Sequence, residues 1–136
     1  MQLRYAIVSD YANGTQDGRL NIMGVLDRLY APAFPAIHRT MFFVVSIELG
    51  PEDEGEEHEV HIQLMDGDAR TLADLRGHFR FGHGDRILNQ VHQLHDLPFD
   101  TPGLYRFSVF LDGNLAKTID LELVLLPQPP PVAEDA

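Results

Sequence analysis

The chain has 136 residues, of which 44% are hydrophobic and 23% charged, a composition typical of one folded domain. It contains no cysteine, which excludes disulfides, cysteine-ligated zinc and a thiol nucleophile. The formal net charge of −11 repels phosphate and anionic lipid, so we expect neither nucleic acid nor a membrane as partner.

The chain start has no basic region followed by an apolar stretch, and no run approaches the roughly 18 apolar residues of a membrane span. These features predict a cytoplasmic protein. Nine arginines stand against one lysine, with abundant alanine, glycine and proline. Because the codons of these residues are rich in G and C, this usage indicates a bacterial genome of high G+C content.

Eight runs rich in β-branched and aromatic residues are each followed by Gly, Pro, Asp or Asn, which predicts strands. Short strands at this spacing favour an all-β fold, an antiparallel β-sandwich of about seven or eight strands with immunoglobulin-like architecture. We expect a single domain over residues 1–126 and a proline-rich acidic tail over 127–136 that stays disordered. The predicted strands cover residues 3–9, 19–30, 40–49, 58–65, 71–81, 87–97, 105–111 and 116–126.

The last two predicted strands form a hairpin that side-chain parity can test. Facing residues must share a face of the sheet, so apolar residues must oppose apolar ones. A three-residue loop at 112–114 meets this condition, because it places Leu111 opposite Leu115 and Phe107 opposite Ile119. Glycine and asparagine in this loop supply the positive φ that it requires.

A second hairpin is predicted from the strands that flank the turn at 66–69. Parity places Val60 opposite Leu75 on the inner face and His61 opposite Asp74 on the outer face. The outer pair is a candidate ion pair.

Two proline-containing loops have structural roles in this interpretation. The apolar segment 31–38 is expected to cover one edge of the core, with Phe34 and Ile37 tucked inward. Pro102-Gly103 followed by Tyr105 is typical of β-sandwiches, in which the tyrosine ring caps the core and its hydroxyl binds the backbone.

An acidic segment at 51–57 is one candidate interaction site. Such a charge run is usually a solvated loop. The functional alternative is a docking patch for a basic protein partner, or a weak divalent-cation site. The carboxylates concerned are Glu52, Asp53, Glu54, Glu56 and Glu57.

Seven histidines raise the question of a metal site. His58 and His61 are three apart on a predicted strand and so point to opposite faces. His61, His78 and Asp74 can share the outer face of the second hairpin and are the candidate ligands of a surface metal. The alternative is that all three are exposed polar positions, and we expect no cofactor.

The chain offers no motif for nucleophilic catalysis. It lacks a Gly-x-Ser-x-Gly turn, and its three serines, Ser9, Ser46 and Ser108, all fall on predicted strands. No residue is therefore assigned a catalytic role.

Several ordered motifs resemble those of a bacterial family of small domains of unknown function. They are Gly-Val-Leu-Asp at 24–27, Phe-Pro-Ala at 34–36 and Pro-Gly-Leu-Tyr at 102–105. The resemblance implies a β-sandwich and supplies no activity, substrate or active-site residue.

Three functions remain open. The favoured one is a non-enzymatic interaction or assembly module that uses a sheet face, an edge strand or the acidic loop, because sandwich edges are natural pairing sites. The second is a module that binds a small molecule, glycan or divalent cation with the loops at 13–18, 31–38 and 81–86. The third is a metal-dependent enzyme that uses His61, His78 or His83.

Overall fold

In the computed structural model, which describes residues 1–127, the chain forms nine β-strands and one short 3-10 helix at Pro51–Asp53. The predicted all-β sandwich is confirmed, with nine strands rather than seven or eight. The predicted tail lies outside the described residues from position 128 onward. The strands are β1 (Gln2–Gly14), β2 (Leu20–Val25), β3 (Arg28–Ala31), β4 (Ala36–Glu48), β5 (His58–Met65), β6 (Thr71–Phe79), β7 (Ile87–Phe99), β8 (Gly103–Leu111) and β9 (Asn114–Leu125).

The strands form two sheets. The four-stranded sheet has the order β2-β1-β4-β7, and the five-stranded sheet has the order β3-β9-β8-β5-β6. Neighbouring strands are antiparallel except β3 and β9, which run parallel. Within residues 1–127, no helix has the length and apolarity that crossing a bilayer requires.

The core lies between the sheets and follows from alternation along the strands. On β4, Phe43 and Val45 point inward and are fully buried, and Phe107 of β8 packs against Phe43 with ring centroids 4.9 Å apart. The largest fully buried side chains include Phe43, Phe99, Phe107, Met41 and Leu121.

A second apolar cluster lies on the outer face of the four-stranded sheet. Phe42 and Val44 alternate with the core residues of β4 and therefore point outward, yet they are 8% and 0% exposed. They are covered by the arm, which we define as residues 12–22 of the β1–β2 hairpin. Ala12 and Ile22 of the arm belong to the same apolar cluster.

The predicted strand at 19–30 is wrong, because the chain changes sheet in its middle. Leu26 donates its N–H to the carbonyl of Val8 at 2.8 Å, whereas the carbonyl of Asp27 accepts from Glu122 in the other sheet at 3.1 Å. The chain therefore leaves β2 and enters β3 through only two residues. Gly24, with φ of 68°, permits the bend that precedes this passage.

The β8–β9 hairpin confirms Phe107 opposite Ile119 but not Leu111 opposite Leu115. Leu111 faces Asn114, so the turn has two central residues, and a bulge near Phe110 restores the predicted register. The positive φ values belong to Asp112 and Gly113 rather than to glycine and asparagine. An Asp-Gly pair is typical of such a tight turn.

The predicted register of the β5–β6 hairpin is wrong by two residues. Val60 faces Gly77 and His61 faces Arg76. Because the shift is even, the predicted inner and outer faces are preserved. A bulge next to Met65 and a turn residue with positive φ, Ala69, lengthen the connection beyond the simple turn that parity assumed.

Of the two loop expectations, one is confirmed and one is partly wrong. Tyr105 is 3% exposed, and its hydroxyl donates to the carbonyl of Thr101 at 2.7 Å. Phe34 packs against the core, but Ile37 is 68% exposed, so only one of the two side chains is tucked inward.

Candidate functional site

The free edge of β7 is the most extended unpaired backbone of the sandwich. One side of this thirteen-residue strand pairs with β4 along its length, and among residues 1–127 no strand pairs with the other side. We define the β7 edge as residues 87–95. This segment, Ile-Leu-Asn-Gln-Val-His-Gln-Leu-His, contains no Asp, Glu, Lys or Arg. An uncharged edge of this length is a template for pairing with another chain.

The direction of the backbone groups on β7 follows from one hydrogen bond. Leu49 donates its N–H to the carbonyl of Arg86 at 2.7 Å, so the polar groups of Arg86 face β4. Backbone direction alternates along an antiparallel strand. The N–H and C=O groups that face away from β4 therefore belong to the odd-numbered positions, Ile87, Asn89, Val91, Gln93 and His95.

The side chains of the β7 edge are apolar or neutral on both faces. On the inner face, Leu94 is 4% exposed, and Nε2 of His92 lies 3.0 Å from Oε1 of Gln90. Burial lowers the pKa of His92, which favours its neutral form. On the outer face, Val91 packs against the apolar cluster under the arm.

The other strand edges are short or charged. β2 has six residues and β3 has four. β6 has nine, but its outer face presents Asp74 and Arg76, which are 42% and 55% exposed. Charged side chains and short strands are the usual means of preventing edge pairing. The β7 edge has neither.

A cleft of about 490 Å³ lies between the arm and the outer face of the β7 edge. At its floor, Arg4 donates to the hydroxyl of Ser46 at 3.0 Å, and Ser46 donates to Oδ1 of Asn89 at 2.6 Å. Ile87 and Val91 supply apolar lining, and the arm contributes Thr15, Gly18, Arg19 and Leu20.

The predicted metal ligands are divided between different partners. Nε2 of His61 lies 2.7 Å from Oδ1 of Asp74, whereas His78 contacts Glu59 at 3.1 Å. Arg76 stands directly opposite His61. Among the described residues, no group of three or more histidine or carboxylate side chains is close enough to hold a metal ion.

The acidic segment is not a uniform carboxylate surface. Asp53 is 8% exposed, and its Oδ2 accepts a hydrogen bond from the N–H of Gly50 at 2.9 Å. Glu57 lies 3.7 Å from Arg80, and Glu54 lies 3.4 Å from the ring of His83. Glu52 and Glu56 are exposed.

Asp53 also helps to hold a buried imidazole. Nε2 of His58 lies 2.8 Å from the carbonyl oxygen of Asp53, and Nδ1 lies 2.8 Å from Oδ2 of Asp112. Both partners are acceptors, so both ring nitrogens must donate and the ring carries a proton on each. Burial alone lowers the pKa of His58, but the hydrogen bonds to Asp112 and Asp53 outweigh it and raise the pKa above its ordinary value.

The three loops proposed to share a ligand site do not line one hollow. Thr15 and Gly18 line the arm cleft, while residues 81–86 line a separate hollow of about 430 Å³ with Glu48 and Pro51. Residues 31–38 line neither of these two.

Sequence reasoning did not single out the β7 edge. It placed a strand there and named sandwich edges as pairing sites without choosing one. The signal that could have identified it is the nine-residue run without a charge, in a chain with 21 acidic and 10 basic residues.

Comparison with known proteins gives a family and a fold likeness. A model of a family of unknown function, DUF6941, matches residues 4–124. No curated protein matches the chain. Among solved structures, the chain resembles part of the Pseudomonas fluorescens alkylpurine DNA glycosylase AlkC bound to DNA containing an abasic site analog, at 11% identity and a TM-score of 0.48, covering 88% of this chain and 30% of that one.

It also resembles part of a Listeria innocua β-glucosidase in complex with isofagomine, at 13% identity and a TM-score of 0.48, covering 90% of this chain and 16% of that one. The same enzyme in complex with glucose gives a TM-score of 0.49 at 13% identity, with 90% and 17% covered. The chain therefore spans less than a third of these proteins.

Proposed function

The chain belongs to DUF6941, a family of unknown function, and we propose that it acts as a non-enzymatic protein-interaction module whose binding element is the β7 edge. The observation that carries the proposal is the combination of length, open backbone and absence of charge in residues 87–95. Strand addition to an exposed sheet edge is a general mode of protein recognition, in which main-chain hydrogen bonds supply affinity. The apolar cluster next to the edge supports the same assignment.

The test blocks strand pairing at the β7 edge without disrupting the fold. Gln93 is exposed, and its N–H faces away from β4, so Gln93→Pro removes an edge donor without removing a hydrogen bond of the sheet. Gln93→Ala is the matched control, because it keeps the N–H. Both variants should show the same circular dichroism and nearly the same unfolding midpoint as the natural chain.

Each variant is then used as bait in co-purification from the host, read by mass spectrometry. We expect the natural chain and Gln93→Ala to retain a common protein, either another protein or further copies of the chain itself, that Gln93→Pro loses. The retained protein must also bind in purified form with the same dependence on the edge. If no binding, to itself or to another protein, differs between the two variants, the proposal is overturned.

The arm cleft favours a second candidate function, the binding of a small anion. Arg4 uses one N–H on Ser46, which leaves other guanidinium donors for a ligand, and Arg19 stands at the rim with its Nε 3.1 Å from Oδ2 of Asp17. Guanidinium groups suit carboxylates and phosphates rather than divalent cations. Thermal-shift measurements with citrate, phosphate and a nucleotide should raise the melting temperature of the natural chain but not of Arg4→Ala. A flat response in both would remove this candidate.

A further inference from the structure

The residues of the β7 edge form a near-palindrome about Val91. Reading outward from Val91, the residues at equal distances match in polarity over the three positions nearest the axis on each side, and differ only at the ends of the run, where Ile87 corresponds to His95. The pairs are Gln90 with His92, Asn89 with Gln93, Leu88 with Leu94 and Ile87 with His95. In a pair of identical antiparallel strands related by a two-fold axis at Val91, these are the residues that face each other.

The charges that flank the edge obey the same symmetry. Arg86 precedes the uncharged run and Asp96 follows it, both five positions from Val91 and both exposed. A two-fold axis at Val91 therefore places Arg86 of each copy at the level of Asp96 of the other, at the point where Asp96, with φ of 49°, ends the regular part of the edge. Opposite charges that face each other across an interface fix its register and disfavour others.

On the inner face, the polar side chains that would meet across the axis already form a hydrogen bond with each other within one chain. His92 and Gln90 are hydrogen-bonded at 3.0 Å on the same strand. Across the two-fold axis, Gln90 of one copy faces His92 of the other, so the same donor and acceptor types meet again. The neutral imidazole that burial favours can make this bond without burying a charge.

The backbone permits the pairing. The N–H and C=O groups of Val91 face away from β4, as do those of Asn89 and Gln93. Two Val91 residues on the axis therefore form a hydrogen-bonded pair, and the odd-numbered positions on each side continue the ladder. About ten main-chain hydrogen bonds are available over the nine residues.

We propose that the β7 edge binds the β7 edge of a second copy of this chain, antiparallel and with the two-fold axis at Val91, joining two four-stranded sheets into one of eight strands. This proposal rests on the proposed function and names the partner. Its support is the match of polarity over residues 88–94 in a single register, with Arg86 and Asp96 at the two ends of the run.

Neighbouring registers lose this match. If one strand slides so that the axis falls on Asn89, Leu88 faces Gln90 and Arg86 faces a neutral histidine. If the axis falls on Gln93, Leu94 faces His92 and Asp96 faces Gln90. Both registers place a leucine opposite a polar side chain next to the axis, and neither brings Arg86 to the level of Asp96.

The absence of cysteine makes disulfide trapping a direct test of register. Facing residues of a hydrogen-bonded pair have Cα atoms about 5.5 Å apart, within the range of disulfides. Val91→Cys should therefore form a disulfide-linked dimer under mild oxidation. Asn89→Cys alone and Gln93→Cys alone should not, because each cysteine would lie about 13 Å from its own copy.

Mixing Asn89→Cys with Gln93→Cys supplies the complementary result, since these two positions face each other. We expect a mixed disulfide dimer from the two variants together and almost none from either one. Trapping of Asn89→Cys with itself, or equal trapping of all three single variants, would overturn the register and with it the proposal.

Light scattering after size exclusion tests association without a covalent bond. The natural chain and Gln93→Ala should show a mass that rises toward twice that of one chain with concentration, and Gln93→Pro should stay at one. A natural chain that remains monomeric overturns the self-pairing proposal. If the chain is monomeric and another purified protein still binds in an edge-dependent way, the proposed interaction function stands. If the chain is monomeric and no protein binds at the edge, the self-pairing proposal and the interaction function both fail.

Discussion

On the outer face of the four-stranded sheet, Phe42 and Val44 are buried beneath the arm, whereas the outer face of the five-stranded sheet is covered by paired ions such as Arg106 with Asp120 at 2.9 Å. The edge strands repeat the difference. The edge β6 belongs to the charged face, and the uncharged edge β7 borders the apolar one. The outer face of one sheet is therefore charged, and the outer face of the other is apolar and partly covered by the arm.

The largest test of this difference removes one phenyl group from each outer face. Phe42 is 8% exposed, so Phe42→Ala should lower the free energy of unfolding by about 3 kcal/mol. Phe110 is half-buried and stacks on His61 with ring centroids 5.4 Å apart. Phe110→Ala should lower the free energy of unfolding by only about 1 kcal/mol. Urea unfolding of both variants measures the two values, and equal losses would show that the arm does not create a second core.

A pair of edge glycines gives the next effect. Gly24 of β2 has φ of 68°, and a Cβ there would lie 2.5 Å from Oδ2 of Asp10. Gly24→Ala should therefore destabilise the fold by about 2 kcal/mol. Gly77 of β6 has open space around it, so Gly77→Ala should be neutral or slightly stabilising, as alanine usually is in a strand. Thermal unfolding distinguishes the two, and a loss at Gly77 as large as at Gly24 would contradict the expectation.

The five-stranded sheet should also contribute a pH-dependent part of the free energy of unfolding that the apolar face does not. The pKa of His58 is raised in the folded state, so its contribution is fully present below its unfolded pKa and is lost as the pH rises through the folded value. For Asp112, burial opposes ionisation, but the hydrogen bond to His58 prevails and lowers the pKa, so its contribution is lost as the pH falls. The pair stabilises most at pH about 4 to 6.5.

Asp112→Asn tests this pair, because asparagine keeps the preference for the positive φ of 49° and removes the charge. We expect a loss of about 1 kcal/mol near pH 5.5, reduced by the partial exposure of Asp112, and a smaller loss near pH 9. Urea unfolding at both values measures it. A loss of the same size at both would show that His58 is neutral in the fold.

The smallest effect concerns the exposed ion pairs. Arg106 and Asp120 are 56% and 50% exposed, so solvent screens their attraction. Arg106→Ala should change the free energy of unfolding by no more than about 0.5 kcal/mol, and less in high salt. A larger change would mean that the charged face stabilises the fold as the apolar face does.

The sequence predicted the sandwich, the alternation of faces and the position of the β8–β9 hairpin, because these follow from local polarity and turn residues. It did not predict that Leu111 faces Asn114, since a bulge adds one residue to one strand without changing the polarity pattern of the sequence. His61 and Asp74 illustrate the same limit. Parity brought them to one face, and they do meet at 2.7 Å, but as diagonal neighbours in a shifted register.

The covering role of the arm and the free side of the β7 edge could be recognised only from the assembled sheets. Phe42 and Val44 read as continuous core with Phe43 and Val45, because a strand that is buried on both faces loses its alternation. Which strand lies at an edge depends on sheet order, and no local pattern encodes that order. The lack of charge on residues 87–95 acquires its meaning only once β7 is known to have an unpaired side.

The two-residue passage from β2 to β3 has a mechanical consequence. Leu26 is held to Val8 in one sheet, and Asp27 is held to Glu122 in the other, so two consecutive residues are hydrogen-bonded to opposite layers. A pulling force that tries to slide one layer over the other must load both hydrogen bonds together with the parallel β3–β9 ladder behind them. The sandwich should therefore resist shear as one stiff block and yield first by peeling, with the arm, which is anchored along fewer strands, as the first part to detach.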